Sequence, residues 1–413
     1  MVIRAAGTLP GLRVTMRKDL SLYIHIPFCM QKCVYCDFLS FSDATFAEKI
    51  RYVDALCQEM RLYAPFSDRY LVRTIYIGGG TPSILDEALI ERIMTGIRNV
   101  FKIDEFAEIS IEANPGTLKY TNLLSYLSYG INRISLGLQS ADPALLSVLG
   151  RIHDYDEFID GYAMARRAGF KNINIDLMSG IPGQDIHTYV DTLTRVMDLS
   201  PEHISAYSLQ VEEGTPLAAN KELLARIPDE ETDRRMYAMT KKVLSAGGYE
   251  RYEFSNYAKP GYECRHNIVY WSGKEYIGFG IGAASFFKGE RYTNIRNLMR
   301  YIEYIESAQM DLAQINDKVS IYEKVSREIR DSVTTMYIDS RMEEFMFLGL
   351  RMTKGVSRKD FRNRFGKDMY EVYGEVINYY TDQGFMESFG DTVRLTDKGI
   401  DVSNVILADF LLK

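Results

Sequence analysis

Cys29, Cys33 and Cys36, in the run PFCMQKCVYC, are the residues of this chain best suited to inorganic chemistry. Thiolates at i, i+4 and i+7 of one loop can converge on a small inorganic cluster, and three of them leave one iron of a four-iron cluster without a protein ligand. An open iron is a place for chemistry. The same spacing also suits zinc held by three cysteines and a histidine, with His25 nearby. Five cysteines, three of them packed into eight residues, argue for a metal site in a reducing compartment and against a disulfide framework.

The elements that must position such a loop follow from hydrophobic periodicity. Strand-like runs begin at 22 (LYIHI), 74 (TIYI), 108 (EISIE), 133 (RISLGL), 172 (NINIDL) and 203 (HISAYSL), and longer helical stretches alternate with them. Six such units predict a parallel (β/α)6 barrel over residues 21–250. Between the first two strands, Ile50, Val53, Leu56, Cys57 and Met60 recur at helical spacing, with N-caps expected at Ser42 or Asp43 and Cys57 expected in the core. Chemistry in such folds sits at the carboxyl ends of the strands. There the chain places the cysteine run, GGGTP, Ala113-Asn114-Pro115, Gln139-Ser140 and Ser179-Gly180-Ile181-Pro182.

Residues 1–20 read as an irregular extension without a secretory pattern, and Met16 is an alternative start. Residues 251–330 read as a connecting layer. Residues 331–413 read as a winged-helix-like α+β domain: helices from Ser357 and from Asp368 to Gln383, a hairpin around Gly390, and a last helix from Asp397. Its last 58 residues hold 8 Lys/Arg against 10 Asp/Glu, so the basic run Arg358 to Lys367 reads as a solvated face and no nucleic-acid partner is expected. A net charge of -7 agrees. No run of eighteen apolar residues exists to cross a membrane, so a cytoplasmic protein without an anchor is expected.

CxxxCxxC with Tyr35 just before the last cysteine resembles the cluster loop of the radical SAM superfamily, and GGGTP strengthens the likeness. The group that it resembles within the superfamily contains oxygen-independent coproporphyrinogen oxidase and the HemW-type haem chaperones. The marks are YIHIPFC at 23, IGGGTPS at 77, IEANPGT at 111, GLQS at 137, LGRIH at 149, IDLMSGIPGQ at 175 and EFMFLGLR at 344. The resemblance implies a partial barrel of the radical SAM type, a 4Fe-4S cluster on Cys29, Cys33 and Cys36, and S-adenosylmethionine lined by Tyr23, Gly79, Gly80, Thr81, Glu112, Gln139, Arg151 and Asp176. Glu112 or Asp176 suits ribose hydroxyls, and Arg151 suits a carboxylate as a fork.

Where the decarboxylating oxidase has a fourth cysteine two residues after the third, this chain has Phe38, as HemW-type proteins do. RHNIVYW at 265 matches their HNxxYW motif and contains the single tryptophan. By that resemblance the chain is a haem chaperone more than a coproporphyrinogen dehydrogenase, with haem as cargo near His266, an imidazole suited to haem iron. Haem-requiring acceptors such as respiratory membrane enzymes are implied, and a homodimer is left open. The alternative is a radical enzyme that decarboxylates coproporphyrinogen III or modifies haem. Cys264 reads either as close to the porphyrin or as core, His153 as a surface histidine, His25 as support for the cluster loop, and His187 and His203 as outside any motif.

Overall fold

The computed structural model describes residues 17–312 and 318–412. The expected N-terminal extension lies outside the described residues up to residue 16, as does the alternative start at Met16. From Lys18 the chain is already strand, four residues before the run expected at 22.

A single twelve-stranded sheet organises most of the chain. Its strands are β1 (Lys18–Ile26), β2 (Tyr70–Gly79), β3 (Ile103–Ala113), β4 (Arg133–Gln139), β5 (Ile173–Ser179), β6 (His203–Ser208), β7 (Glu250–Arg251), β8 (Asn256–Ala258), β9 (Tyr276–Phe279), β10 (Ala284–Phe287), β11 (Glu290–Asn294) and β12 (Arg330–Thr335). The order is β12-β11-β10-β9-β1-β2-β3-β4-β5-β6-β8-β7, so the sheet is open, as a partial barrel requires. Strands β1 to β6 are parallel neighbours, and β9 adds a seventh parallel strand beside β1. The segment expected as a connecting layer therefore extends the same sheet, and the boundaries expected at 250/251 and 330/331 fall inside β7 and β12.

Period-two alternation gives the sheet two chemically different faces. Leu22, Ile24, Ile26, Ile75, Ile77, Ile111, Ile134, Leu136, Ile175 and Leu177 are fully buried in the main apolar cluster, together with residues of the crossover helices. The alternate positions carry Ser21, Tyr23 and His25 on β1, Thr74 and Tyr76 on β2, Glu108 and Glu112 on β3, Ser135 on β4, and Asn174 and Asp176 on β5. Hydrogen bonds link these residues across the strands. The crossover helices seal the apolar face because each presents a stripe to it. The first, Phe46–Leu62, starts at a capping box of Thr45 with Glu48 and not at Ser42 or Asp43. Its Cys57 is buried in the core as expected.

A second core, built on Met342, Met346, Phe361, Phe365, Tyr373 and Ile377, lies in the C-terminal part. There helices Ile338–Gly349, Arg358–Phe365 and Met369–Asp382 pack with a three-stranded sheet of β13 (Val356–Ser357), β14 (Met386–Phe389) and β15 (Thr392–Leu395), a winged-helix arrangement. The basic run is a solvated face as expected, with Lys359, Arg362, Arg364 and Lys367 exposed; Arg358 and Arg362 pair there with Asp368, and Arg364 donates to the Ser272 carbonyl at 2.8 Å.

Candidate functional site

The three clustered cysteines share the loop that leaves β1, and all three are half-exposed free thiols. The loop is tied down on both sides. Phe28 bridges Phe41, with Cys29 N–H donating to the Phe41 carbonyl at 2.9 Å, and Val34 N–H donates to Leu149 O at 3.2 Å. Two donors face the sulfurs: Thr81 Oγ1 lies 3.6 Å from Cys29 Sγ, and Arg151 Nη1 lies 3.5 Å from Cys33 Sγ. Donors aimed at sulfur are what tune an iron–sulfur cluster, so the donor set fits that group. Among the described residues no three His, Cys, Asp or Glu side chains lie close enough to hold one metal ion. His25, the fourth ligand that zinc would need, is committed elsewhere: Nδ1 meets Tyr23 Oη at 3.0 Å and Nε2 meets the Leu39 carbonyl at 2.9 Å. It supports the loop.

The glycine turn after β2 passes against this loop. Gly80 N–H donates to Ile26 O at 2.8 Å and Thr81 N–H to Phe28 O at 2.7 Å. A Cβ at Gly80 would sit 2.6 Å from the Phe28 carbonyl oxygen and 3.0 Å from Cys29 Sγ, so only glycine lets the turn come this near. Gly79 has φ +116°, and its N–H donates to Glu112 Oε2 at 3.0 Å.

Tyr76 Oη holds the other oxygen of Glu112, at 2.8 Å. Burial pushes the Glu112 carboxyl up to about 7, while the Tyr76 hydroxyl and the Gly79 amide pull it down and Asp176 pushes it up. Among the described residues Glu112 has no ion-pair partner. Asp176 caps no helix; its two oxygens accept from Ser135 Oγ and Asn174 Nδ2, each at 2.8 Å. Gln139 ends β4 at φ +72°, a rare conformation for a residue with a side chain and one that recurs at binding sites. Arg151 reaches over to give Nη2 to Gly137 O at 2.6 Å.

The structure therefore brings Tyr23, Gly79, Gly80, Thr81, Glu112, Gln139, Arg151 and Asp176 toward the carboxyl ends of the parallel strands, each half-buried, with Gly80, Thr81 and Arg151 against the cysteine loop. Tyr76, Ser135 and Asn174 belong to the same set, though no motif singles them out; their signal is the polar phase of the alternation.

His266 is not placed as an open ligand. It lies in the helix Arg265–Trp271 and is 1 % exposed. Its Nδ1 meets Thr74 Oγ1 at 2.8 Å and its Nε2 meets Tyr270 Oη at 2.9 Å. Thr74 gives its own hydroxyl proton to Ser21 at 2.7 Å, so Nδ1 carries the imidazole proton and Nε2 accepts from Tyr270. Burial lowers the His266 pKa to about 3, which keeps the ring neutral. The Glu108 carboxylate caps the helix from inside the sheet, taking N–H bonds from Arg265 and His266 at 3.0 Å. Cys264 is fully buried with Sγ 3.6 Å from Glu108, so it is core. Trp271 lies under the Arg351 guanidinium at 4.7 Å. His153, expected at the surface, is 3 % exposed, with its Cβ packed near Gly116. His203 is buried between Asn174 and Tyr252.

The family models that match are the radical SAM superfamily over residues 23–196 and the HemN C-terminal domain over residues 339–402. The chain is 34% identical to a protein of Lactococcus lactis named "Heme chaperone HemW", over 96% of this chain and 98% of that one. It is also 34% identical to the protein of that name from Bacillus subtilis, over 95% and 99%. Among solved structures, the fold resembles that of coproporphyrinogen III oxidase (HemN) from Escherichia coli, with TM-score 0.81, 23% identity, and 96% and 90% of the two chains covered.

Proposed function

Since the chain belongs to the HemW-type radical SAM proteins, we propose that it is a haem chaperone, which binds haem and hands it to haem-requiring proteins. One observation carries this reading: the end-to-end likeness to proteins named haem chaperone, in a chain that has Phe38 where the decarboxylating oxidase has a cysteine.

Cys29, Cys33 and Cys36 would hold a 4Fe-4S cluster, and Tyr23, Gly79, Gly80, Thr81, Glu112, Gln139, Arg151 and Asp176 would hold S-adenosylmethionine. When bound, the cluster supplies an open iron and one-electron chemistry. Thr81 and Arg151 donate toward the sulfurs. Gly79 and Gly80 keep side chains out of the space beside the loop. Glu112 or Asp176, each with oxygens oriented by neighbouring donors, would accept sugar hydroxyls. Tyr23 and His25 hold the far end of the loop through Leu39.

Haem is the cargo. His266 reaches haem iron only if Tyr270 gives up the Nε2 lone pair, while the Nδ1–H bond to Thr74 can stay, so the ligand role that the motif suggests requires the Tyr270 hydroxyl to move off the buried Nε2 edge. Among the described residues no helix is long and apolar enough to cross a membrane. We place the protein in the cytoplasm, meeting acceptors that include membrane-bound respiratory enzymes at their cytoplasmic face.

A paired assay on anaerobically reconstituted protein tests the reading: haem titration by absorbance, and coproporphyrinogen III turnover with S-adenosylmethionine and a reductant. Stoichiometric haem binding without protoporphyrinogen formation is expected. Turnover without stable haem binding would make the protein a decarboxylase.

A further inference from the structure

We infer that the HNxxYW helix is the foundation of the S-adenosylmethionine site: His266 is a positioning residue that, through Tyr76, fixes Glu112. The inference rests on the assignment of Glu112 to that site.

The His266 ring is clamped at both nitrogens and cannot rotate. The Tyr76 ring lies stacked on it, with centroids 5.2 Å apart and planes inclined by 28°. From that position Tyr76 Oη reaches Glu112 Oε1 at 2.8 Å. The other oxygen takes the Gly79 amide, so both hydrogen bonds that orient the carboxylate come from β2. There is little slack in the contact, for a Cβ at Gly78 would lie 2.8 Å from the Tyr76 ring and 2.9 Å from the Glu112 carboxyl carbon. A shift of the imidazole therefore moves the phenol, and a shift of the phenol turns the carboxylate.

The row continues beyond Tyr76. Tyr23 also stacks on Tyr76, with centroids 6.4 Å apart, and the Tyr23 hydroxyl meets His25, which holds Leu39 of the cysteine loop. Rings from three elements thus run from the buried helix to the loop. A haem ligand needs a free nitrogen lone pair and an open face. His266 has neither, whereas the same two facts are what a support requires.

The test is a double-mutant cycle on the full-length, cluster-reconstituted protein. S-adenosylmethionine affinity is read by equilibrium dialysis and by its perturbation of the reduced cluster's EPR signal, with haem titrated in parallel. Tyr76→Phe keeps the ring and removes the hydroxyl; His266→Gln removes the stacked ring. Each is expected to weaken S-adenosylmethionine binding by roughly tenfold, and the pair together by much less than the product, because both act through Glu112. Iron content and haem binding should hold. If His266→Gln loses haem and keeps S-adenosylmethionine, the ligand role stands and the inference falls. Additive losses would overturn it too, and so would a Tyr76→Phe variant with unchanged affinity. Glu112→Gln separates the levels: if it alone leaves affinity unchanged, the assignment beneath fails and the inference with it. If it weakens affinity while the other two do not, only the inference fails.

Discussion

Arg151 and Cys33, 118 residues apart in the chain, meet with the guanidinium Nη1 3.5 Å from the sulfur. A positive donor on a cluster sulfur stabilises the reduced, more negative cluster. Arg151→Met should lower the reduction potential by about 59 mV for each tenfold of relative stabilisation lost. Redox titration monitored by EPR checks it; an unchanged potential would show that the contact does not survive cluster binding.

Gly80→Ala forces a methyl group against the Phe28 carbonyl and Cys29 Sγ. Overpacking of this kind costs about 1–3 kcal/mol, so cluster retention should fall by roughly tenfold or more while the fold holds. Iron and sulfide per chain, set beside far-UV circular dichroism, measure both halves of the statement.

Burial raises the Glu112 carboxyl to about 7. Tyr76, Asp176 and Arg133 are the ionisable groups acting on it. A carboxylate accepts a sugar hydroxyl better than a carboxylic acid does, so S-adenosylmethionine affinity should rise as pH passes upward through 7. Glu112→Gln should flatten the profile. For stability the sign is opposite: with a folded pKa above the unfolded one, the contribution of Glu112 is full at low pH and is lost as pH rises toward 7. Denaturant midpoints across pH 5 to 8 should show that loss disappear in the variant.

Glu108→Ala removes the acceptor from the buried His266 N–H and the partly buried Arg265 N–H at the start of the helix Arg265–Trp271. The orphaned buried His266 donor costs about 1–3 kcal/mol, so a loss of roughly that size is expected in urea denaturation. Hydrogen exchange should quicken first in that helix. Uniform exchange would count against its being held from inside the sheet.

Much of the site was legible because its residues are unusual where they stand. CxxxCxxC, GGGTP and Asn114-Pro115 interrupt strand ends with chemistry that a packed turn does not need, and the C-terminal helices announced themselves through Ser357 and Asp368 as caps. What was missed depends on contacts between distant segments. Nothing local to YIGF at 276 says that it lies parallel beside β1. Nothing local to His266 says that Thr74 and Glu108, about 190 and 160 residues earlier, will enclose it. The Thr45 cap was readable from Glu48 three residues on, and Ser42 and Asp43 drew attention only because they are good cap types.

The helix Arg265–Trp271 begins at Glu108 inside the sheet, and at its other end Trp271 and the Ser272 carbonyl meet Arg351 and Arg364 of the C-terminal part. It therefore works as a strut between two cores. A partner that levers the C-terminal part away must do work on the same seven residues whose His266 stacks on Tyr76. Thermodynamic reciprocity then makes the coupling two-way, so a bound S-adenosylmethionine changes that partner's affinity by the same factor by which the bound partner changes the affinity for S-adenosylmethionine.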